Sequence, residues 1–203
     1  MFKSVLVTPL LKKHSLPSDE LSSYRPISNL NLLSKILERI IHTRLSDHSQ
    51  KFSCLSPFQS AYRKFHSTET ALLRIQNDLL LATNKQKLSA LVLLDLSAAF
   101  DTIDHNILLN RLSHTFGITG NALSLLSSYL TNRSQSVCIN SNFSNPSPLD
   151  TGVPQGSVLG PLLFSLYTTP LIFLLKISPV SFHLYADDTQ LYISFSSSDS
   201  DCN

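Results

Sequence analysis

A pair of adjacent carboxylates between two apolar runs constrains this 203-residue chain more than any other feature. The segment Phe182–Phe195 reads FHLYADDTQLYISF, so Asp187 and Asp188 separate one apolar run from the next. The two runs predict antiparallel strands, and the Ala-Asp-Asp-Thr stretch predicts the turn of a hairpin. Carboxylates next to buried strands are costly unless they are paired or bind a cation.

Another carboxylate stands at the end of a third apolar run. Leu88–Leu96 is almost continuously apolar, which predicts a strand that is buried on both faces and holds Asp95 at its end. The nearby basic residues Lys85, Lys87 and Arg111 are each several positions away. A divalent cation shared by the strand ends would offset the negative charges, and such oxygen ligands suit Mg²⁺. The alternative is that each acid is an ordinary turn residue or helix cap.

The remaining pattern predicts helices that alternate with short strands. The expected elements are strands Val5–Leu11 and Ser134–Asn140, and helices Asn29–Leu45, Thr68–Asn84, His105–Phe116 and Ala122–Leu130. Asp104 and Asn121 are of the residue types that cap helix N-termini, and Gly117 is expected to end the third helix. The strand Ser134–Asn140 is expected to pair, as a hairpin, with the segment before Gly152.

Apolar residues of the first two helices recur at three- and four-residue steps and are expected to face the core. In the first helix these residues are Leu33, Ile36, Leu37, Ile40, Ile41 and Leu45. In the second they are Leu72, Ile75, Leu79 and Ala82. Charged residues of the first helix are expected elsewhere on its surface: Lys35, Glu38, Arg39 and Arg44. Three further acids are interpreted as turn residues or caps: Asp101, Asp104 and Asp150.

An uncharged stretch from Thr151 to Leu175 is long enough to span a membrane as a helix. Gly160, Pro161 and Pro170 interrupt it, so a buried helix followed by a turn is the better interpretation. The three cysteines form no C-x-x-C pair, which makes a zinc knuckle or a disulfide framework unexpected. No signal peptide is recognised, and an intracellular chain, in nucleus or cytoplasm, is expected.

Several short motifs stand along the chain in a fixed order. They are Tyr24–Ser28 (YRPIS), Gln59–Arg63 (QSAYR), Ser67–Thr70 (STET), Asp95–His105 (DLSAAFDTIDH), Gly152–Pro161 (GVPQGSVLGP) and Tyr185–Asp188 (YADD). In wording and order they resemble the reverse transcriptases of non-LTR (LINE-type) retrotransposons. The resemblance extends from about residue 5 to residue 195.

The resemblance implies an α+β fold, the fingers and palm of a right-hand polymerase, with an antiparallel palm sheet packed on helices. It implies a fingers-like region at residues 1–86 and a palm at residues 87–195, the palm with an inserted helical and hairpin segment. A polar tail is expected at residues 196–203. The thumb that follows the palm in this family is expected to be absent from the chain.

The resemblance also implies the metal site and its ions. Asp95 and Asp187 are expected to ligate two Mg²⁺ ions, with Mn²⁺ as a substitute. The backbone carbonyl of Leu96 is expected on the ion that carries the triphosphate. Asp188 is expected to be the third carboxylate. These are the catalytic residues that the family's motifs assign.

Substrate contacts follow from the same resemblance. Phe100 matches the steric gate that fills the space of a ribose 2′-OH, although an ordinary core aromatic would look the same in the sequence. Arg25 matches a residue that grips the incoming triphosphate, and Lys13 is a second phosphate contact. A surface Arg before a turn Pro is the plain alternative for Arg25.

Three more residues are implied on the template and primer side. Gln155 and Gly156 match contacts to the template, where a glycine lets the backbone approach a base closely. Tyr185 is expected beside the primer end. A turn glycine and a core tyrosine are the alternatives for Gly156 and Tyr185.

The implied function is that of an RNA-directed DNA polymerase core, with an RNA template, a DNA primer and a dNTP as partners and no membrane. A C-terminal thumb and an N-terminal endonuclease are expected only in a full-length element, so whether these residues alone are active is open. The main alternative is a catalytically silent remnant that at most binds nucleic acid. A distant alternative is an unrelated two-metal phosphohydrolase, which would not need the Gly152–Pro161 motif.

The distribution of charge along the chain agrees with a polymerase core, although the small net charge of the whole chain does not reveal it. Hydrophobic residues make up 42% of the chain, enough for a folded core, and the net charge is only +2. Residues 1–76 hold 11 Lys and Arg but 5 Asp and Glu, whereas residues 77–203 hold 5 and 9. A basic first part is expected to face phosphates, and an acidic second part is expected to hold the metal.

Overall fold

The computed structural model describes residues 3–196. Eight strands are described: β1 Ser4–Leu11, β2 Tyr24–Asn29, β3 Lys87–Asp95, β4 Arg133–Ile139, β5 Asn142–Phe143, β6 Ser147–Leu149, β7 Ser181–Tyr185 and β8 Asp188–Ser196. Six α-helices accompany them: α1 Leu32–Lys51, α2 Thr68–Asn84, α3 His105–His114, α4 Gly120–Leu130, α5 Gly160–Tyr167 and α6 Thr169–Lys176. The mixture confirms the α+β class.

The described chain forms two compact units that alternate along the sequence. The first contains the residues up to Cys54 together with Phe100–Tyr167, and the second contains Leu55–Ala99 together with the residues from Thr168 onward. These bounds differ from a division at residue 86. The assignment of residues 1–86 to fingers and 87–195 to palm therefore stays a prediction.

A sheet with strand order β2-β1-β4-β5 belongs to the first unit, and β6 also pairs with β4. β1 runs antiparallel to β2, with Leu6 opposite Asn29, and parallel to β4, with Val5 opposite Gln135. β4 and β6 are antiparallel, which confirms the hairpin that the sequence predicts before Gly152.

The core of the first unit lies among α3, α4 and α5. Its most buried side chains are Ile103, Leu108, Leu112, Leu130, Leu159, Leu163, Phe164 and Leu166. The uncharged stretch that begins at Thr151 does not form one long helix. It contains the predicted buried helix, α5, but a second helix, α6, follows where only a turn was predicted. Among residues 3–196 no helix combines the length and apolar character that crossing a membrane requires.

α1 turns a different side to the core than its apolar periodicity predicts. Leu33, Ile36, Leu37 and Ile40 are exposed, whereas Glu38 is only 2% exposed. The Glu38 carboxylate accepts hydrogen bonds from the Val158 backbone N–H at 2.6 Å and from the Tyr129 hydroxyl at 3.2 Å. Burial, followed by the Glu38 charge, raises the pKa of Tyr129. The expectation for α1 is therefore confirmed for Ile41 and Leu45, which are buried, and was wrong for the other four apolar residues. The buried polar contacts of Glu38 occupy the side of the helix that faces inward.

Side-chain caps fix where α1 and α3 begin. Asn31 accepts from the Ser34 N–H at 2.7 Å, so α1 runs over Leu32–Lys51 instead of the predicted Asn29–Leu45. Asp104 accepts from the Ile107 N–H at 2.9 Å and caps α3 as predicted. α4 begins at Gly120 after Thr119, so the cap predicted at Asn121 was one residue inside the helix.

α2 has the predicted bounds, and a complete capping box fixes where it begins. Ser67 accepts from the Thr70 N–H at 3.3 Å, and Thr70 accepts from the Ser67 N–H at 2.9 Å, which is a reciprocal capping box. Ala71, Ile75 and Ala82 are its buried residues. Leu72 is 64% exposed, which corrects the expectation that it faces the core.

The second unit contains a three-stranded antiparallel sheet with the order β3-β8-β7. The predicted hairpin of β7 and β8 is confirmed, and β8 is the central strand. β3 is an edge strand whose residues are all exposed, so its predicted burial on both faces was wrong. β8 extends to Ser196, opposite Lys87, so the first residue assigned to the polar tail belongs to this strand. The tail after Ser196 lies outside the described residues.

Apolar side chains of β7 and α6 form the core of this unit. Phe182, Leu184 and Ile172 are buried together, and Phe58, Leu171, Leu175 and Leu191 pack against them. The described cysteines, Cys54 and Cys138, are free thiols, whereas Cys202 lies outside the described residues. Burial raises the pKa of the Cys54 thiol, which keeps it protonated.

We expect Gly152→Ala to destabilise the first unit strongly. Gly152 has φ +81, and a Cβ there would lie 2.8 Å from the Asp101 Cα and carbonyl oxygen. Gly117→Ala is the matched control, because Gly117 has φ +67 but no atom within 4 Å of an added Cβ. The left-handed conformation alone costs about 1–2 kcal/mol, and the overlap at Gly152 adds about 1–3 kcal/mol. Urea unfolding measures both variants, and equal losses would contradict the packing described here.

Candidate active site

Three acidic residues lie at one end of the sheet β3-β8-β7. In the strand register Asp95 is opposite Asp188, and Tyr185 is opposite Asp188 on the other side. Asp187 stands in the turn that joins Tyr185 to Asp188. We call Asp95, Asp187 and Asp188 the carboxylate edge. The sequence prediction that these acids meet at neighbouring strand ends agrees with this register.

Charge crowding at the carboxylate edge changes how readily Asp188 ionises. Partial burial, then the charges of Asp187 and Asp95, raises the pKa of Asp188. Burial, then Asp187 and Tyr185, raises the pKa of the Tyr62 hydroxyl as well. Negative charge is therefore concentrated here, and Tyr62 lies close enough to experience it.

The oxygen atoms of the carboxylate edge suit a hard cation, but they do not surround one completely. Carboxylate oxygens are the ligands that Mg²⁺ and Mn²⁺ take, together with water and phosphate oxygens. Within the described residues, no three His, Cys, Asp or Glu side chains stand close enough together to form a ready-made metal site. Asp95 and Asp188, as facing register partners with mutual repulsion, fit an ion whose remaining ligands come from water and substrate.

The turn of the carboxylate edge is held by a residue whose role the sequence did not reveal. Ala186 has φ 57, a left-handed conformation that is uncommon for alanine. The buried side chain of Gln59 hydrogen-bonds both to the Ala186 N–H, at 3.1 Å, and to its carbonyl oxygen, at 3.3 Å. Gln59 was recognised only as part of a motif, because its partner is 127 residues away.

In the first unit, the GVPQGSVLGP motif is tied to the residues that follow β3. The Val153 N–H donates to the Phe100 carbonyl at 2.9 Å, and the Gly152 N–H donates to the Ile103 carbonyl at 2.7 Å. The Gly152 carbonyl lies 2.7 Å from Nε2 of buried His105. Two of the motifs are thus one connected backbone structure.

Gln155 joins three motifs of the first unit. Its carbonyl accepts from the Ser28 N–H at 2.8 Å, and its side-chain amide donates to Oδ2 of Asp101 at 2.9 Å. Asp101 was expected to be a plain turn residue, and this contact gives it a partner across 54 residues. Gly156 has φ +97 and is exposed beside the Ser28 carbonyl, so the backbone can be approached there.

The other substrate residues predicted in the first unit are Phe100, Arg25 and Lys13. Phe100 is partly buried, with its ring centroid 5.1 Å from that of Phe164. Arg25 lies in β2 opposite Leu10, and Lys13 lies in the loop after β1; both side chains are exposed. The carboxylate edge, Leu96 and Tyr185 belong to the second unit. The other predicted site residues belong to the first unit: Lys13, Arg25, Phe100, Gln155 and Gly156.

The sequence profile of the family described as reverse transcriptase (RNA-dependent DNA polymerase) matches residues 11–201. The chain belongs to the reverse transcriptase family. It is 34% identical over 195 residues to the probable RNA-directed DNA polymerase from transposon BS of Drosophila melanogaster, covering 91% of this chain and 21% of that protein. It is 32% identical over 193 residues to the RNA-directed DNA polymerase from mobile element jockey of the same species, covering 93% and 21%.

Solved structures agree with a reverse transcriptase fold. Apo telomerase from Candida tropicalis superposes with a TM-score of 0.65 at 13% identity, covering 98% of this chain and 40% of that chain. At this identity the likeness shows the fold alone. This reverse transcriptase chain spans about a fifth of the length of its curated relatives. The expected kinship with retrotransposon reverse transcriptases is confirmed, which excludes an unrelated phosphohydrolase.

We expect Asp188→Asn to stabilise this reverse transcriptase chain slightly at pH 7 in buffer with EDTA. The pKa of Asp188 is raised in the fold, so its ionised form opposes folding above that pKa, and the penalty disappears as pH falls below the ordinary value of 3.8. Because Asp188 is exposed, solvent screening limits the gain to less than about 1 kcal/mol.

Urea unfolding at pH 7, 5 and 4 measures this gain, which should shrink as the pH falls. Exposed Asp150→Asn serves as the control and should change stability little. A loss of stability in Asp188→Asn at pH 7 would contradict charge crowding at the carboxylate edge.

Proposed function

We propose that this chain is the catalytic core of a retrotransposon RNA-directed DNA polymerase. Its reaction is attack of a primer 3′-OH on the α-phosphorus of a dNTP, which extends the primer and releases pyrophosphate. The observation that carries the proposal is the carboxylate edge, in which Asp95 faces Asp188 beside Asp187 within the YADD turn. Membership in the reverse transcriptase family supports the same chemistry.

Asp95, Asp187 and Asp188 would hold the divalent cations, together with the backbone carbonyl of Leu96. We propose two Mg²⁺ ions, which Mn²⁺ can replace. When bound, such ions neutralise phosphate charge and make the primer hydroxyl a better nucleophile. The raised pKa of Asp188, caused by partial burial and then by the charges of Asp187 and Asp95, supports this assignment, since a nearby cation would stabilise the ionised carboxylate.

Basic side chains of the first unit would attract the triphosphate. Arg25 is exposed on β2, and a guanidinium can donate two parallel hydrogen bonds to phosphate oxygens. Lys13 is exposed in the loop that connects β1 to β2, and its side chain adds a second positive charge. The excess of basic residues over residues 1–76 supports this arrangement.

Phe100 would select the sugar. Its ring is packed on Phe164 and remains partly exposed, which holds an aromatic surface in a fixed position. A ring in the place of a ribose 2′-OH excludes ribonucleotides by overlap and leaves deoxyribonucleotides unaffected.

Gln155 and Gly156 would contact the template, and Tyr185 the primer end. The left-handed conformation and exposure of Gly156 support a close approach of backbone to a base. Partial exposure of Tyr185 beside Asp188 supports a contact outside the core. The partners would be an RNA template, a DNA primer and a dNTP, and the compartment would be the nucleus or the cytoplasm.

We expect Asp95→Ala and Asp187→Ala to abolish primer extension on an RNA template. Each substitution removes a carboxylate that would hold a cation, and losses of this type reach at least about 100-fold. Extension of a labelled DNA primer in Mg²⁺ measures the effect, with Asp150→Ala as the control. Retained activity in either variant would contradict the metal assignment, and absence of both extension and Mn²⁺ binding in the wild type would favour the silent remnant.

We expect Phe100→Ala to increase incorporation of ribonucleotides relative to deoxyribonucleotides, because the ring that excludes the 2′-OH is gone. Primer extension with either substrate gives the ratio of the two kcat/KM values. Phe65→Ala is the matched control, since Phe65 is 86% exposed. An unchanged ratio in Phe100→Ala would favour the alternative of an ordinary core aromatic.

A further inference from the structure

The YADD turn contains a backbone conformation that needs support. Ala186 has φ 57, and alanine enters the left-handed region only at an energetic cost. Such conformations persist where the surroundings determine them. Asp187 follows directly, so the direction of its side chain depends on the dihedral angles of Ala186.

One side chain supplies that support. Oε1 of Gln59 accepts from the Ala186 N–H at 3.1 Å and from the Ala61 N–H at 3.0 Å. Nε2 of Gln59 donates to the Ala186 carbonyl at 3.3 Å. The carboxamide therefore pairs with both main-chain polar groups of Ala186, as a neighbouring strand would. Gln59 is only 2% exposed, so water does not compete readily for these bonds.

The segment that carries Gln59 is itself fixed along β7. The Leu184 N–H donates to the Phe58 carbonyl at 2.8 Å, and the Ser60 N–H donates to the Leu184 carbonyl at 3.0 Å. The Ser60 hydroxyl lies 2.8 Å from Nε2 of buried His183. Gln59 is therefore held opposite Leu184, and Leu184 comes two residues before Ala186, the residue that Gln59 supports.

The Arg63 side chain also stabilises the loop that carries Gln59. Nη1 of Arg63 donates to the Ser56 carbonyl at 2.7 Å and to the Gln59 carbonyl at 3.1 Å. These bonds stabilise the loop without contributing to the carboxylate edge. The support for Gln59 therefore comes from its own loop and from β7.

We propose that Gln59 is a positioning residue, which braces the left-handed Ala186 and thereby sets the direction of Asp187 for metal binding. The inference rests on the proposed function, because Asp187 is a metal ligand only there. Gln59 itself touches neither metal nor substrate in this account. Its loss frees Ala186 to leave the left-handed region and turns Asp187 away from Asp95 and Asp188.

The test compares Gln59→Met and Gln59→Asn with the wild-type chain. Methionine keeps the volume without hydrogen bonds, and asparagine keeps the carboxamide but is one methylene too short. Gln76→Met is the matched control, because Gln76 is an exposed glutamine on α2 of the same unit. Circular dichroism and thermal unfolding identify the temperature at which each variant is folded, and all later measurements stay below it.

Two measurements on the folded chain decide the proposal. Amide hydrogen exchange at Ala186 should become about tenfold faster in both Gln59 variants, since the acceptor of that N–H is lost. Mn²⁺ affinity, from the electron paramagnetic resonance signal of the free ion, should fall about 10- to 100-fold, as for loss of residues that orient metal ligands. Gln76→Met should match the wild type in both.

Each other result has a defined meaning. Unchanged exchange at Ala186 in the Gln59 variants would overturn the brace. Faster exchange with unchanged Mn²⁺ affinity would overturn the positioning role and leave a purely structural one. Failure of the wild type to bind Mn²⁺ would instead refute the metal site of the proposed function, and with it the role of Asp187, so the two failures are distinguishable.

Discussion

The antiparallel register between β3 and β8 is the constraint on which the candidate site depends. It pairs Lys87 with Ser196 at one end and brings Asp95 opposite Asp188 at the other. A shift of one residue would turn every side chain of β3 to the other face and separate these two carboxylates. The turn after Tyr185, and the proposed role of Gln59 at Ala186, can serve a metal site only when this register brings the carboxylates together.

Features with local signals could be predicted from the sequence. The start of α2 follows from the Ser67–Thr70 capping box, and the β7–β8 hairpin follows from two apolar runs around polar residues. The proposal that Asp95, Asp187 and Asp188 are the catalytic carboxylates likewise came from motifs of consecutive residues and from their order along the chain. These predictions needed no knowledge of distant contacts.

Burial and long-range support could not be predicted in the same way. Periodicity shows that α1 has an apolar side but not which elements cover it, and the Glu38 contact with Val158 spans 120 residues. β3 is apolar yet exposed, and its own residues do not show which faces of the strand other elements cover. Likewise the contact of Gln59 with Ala186 joins positions 127 residues apart, and no local pattern announces it.

Every role proposed for this site requires that the carboxylate edge bind divalent cations for nucleotidyl transfer. An anomalous difference map from crystals soaked with Mn²⁺ and a dNTP locates the bound ions. We expect density at coordination distance, about 2.1 Å, from oxygens of Asp95 and of Asp187 or Asp188. Manganese bound elsewhere in the chain, with these three carboxylates free of it, would refute the proposed metal site.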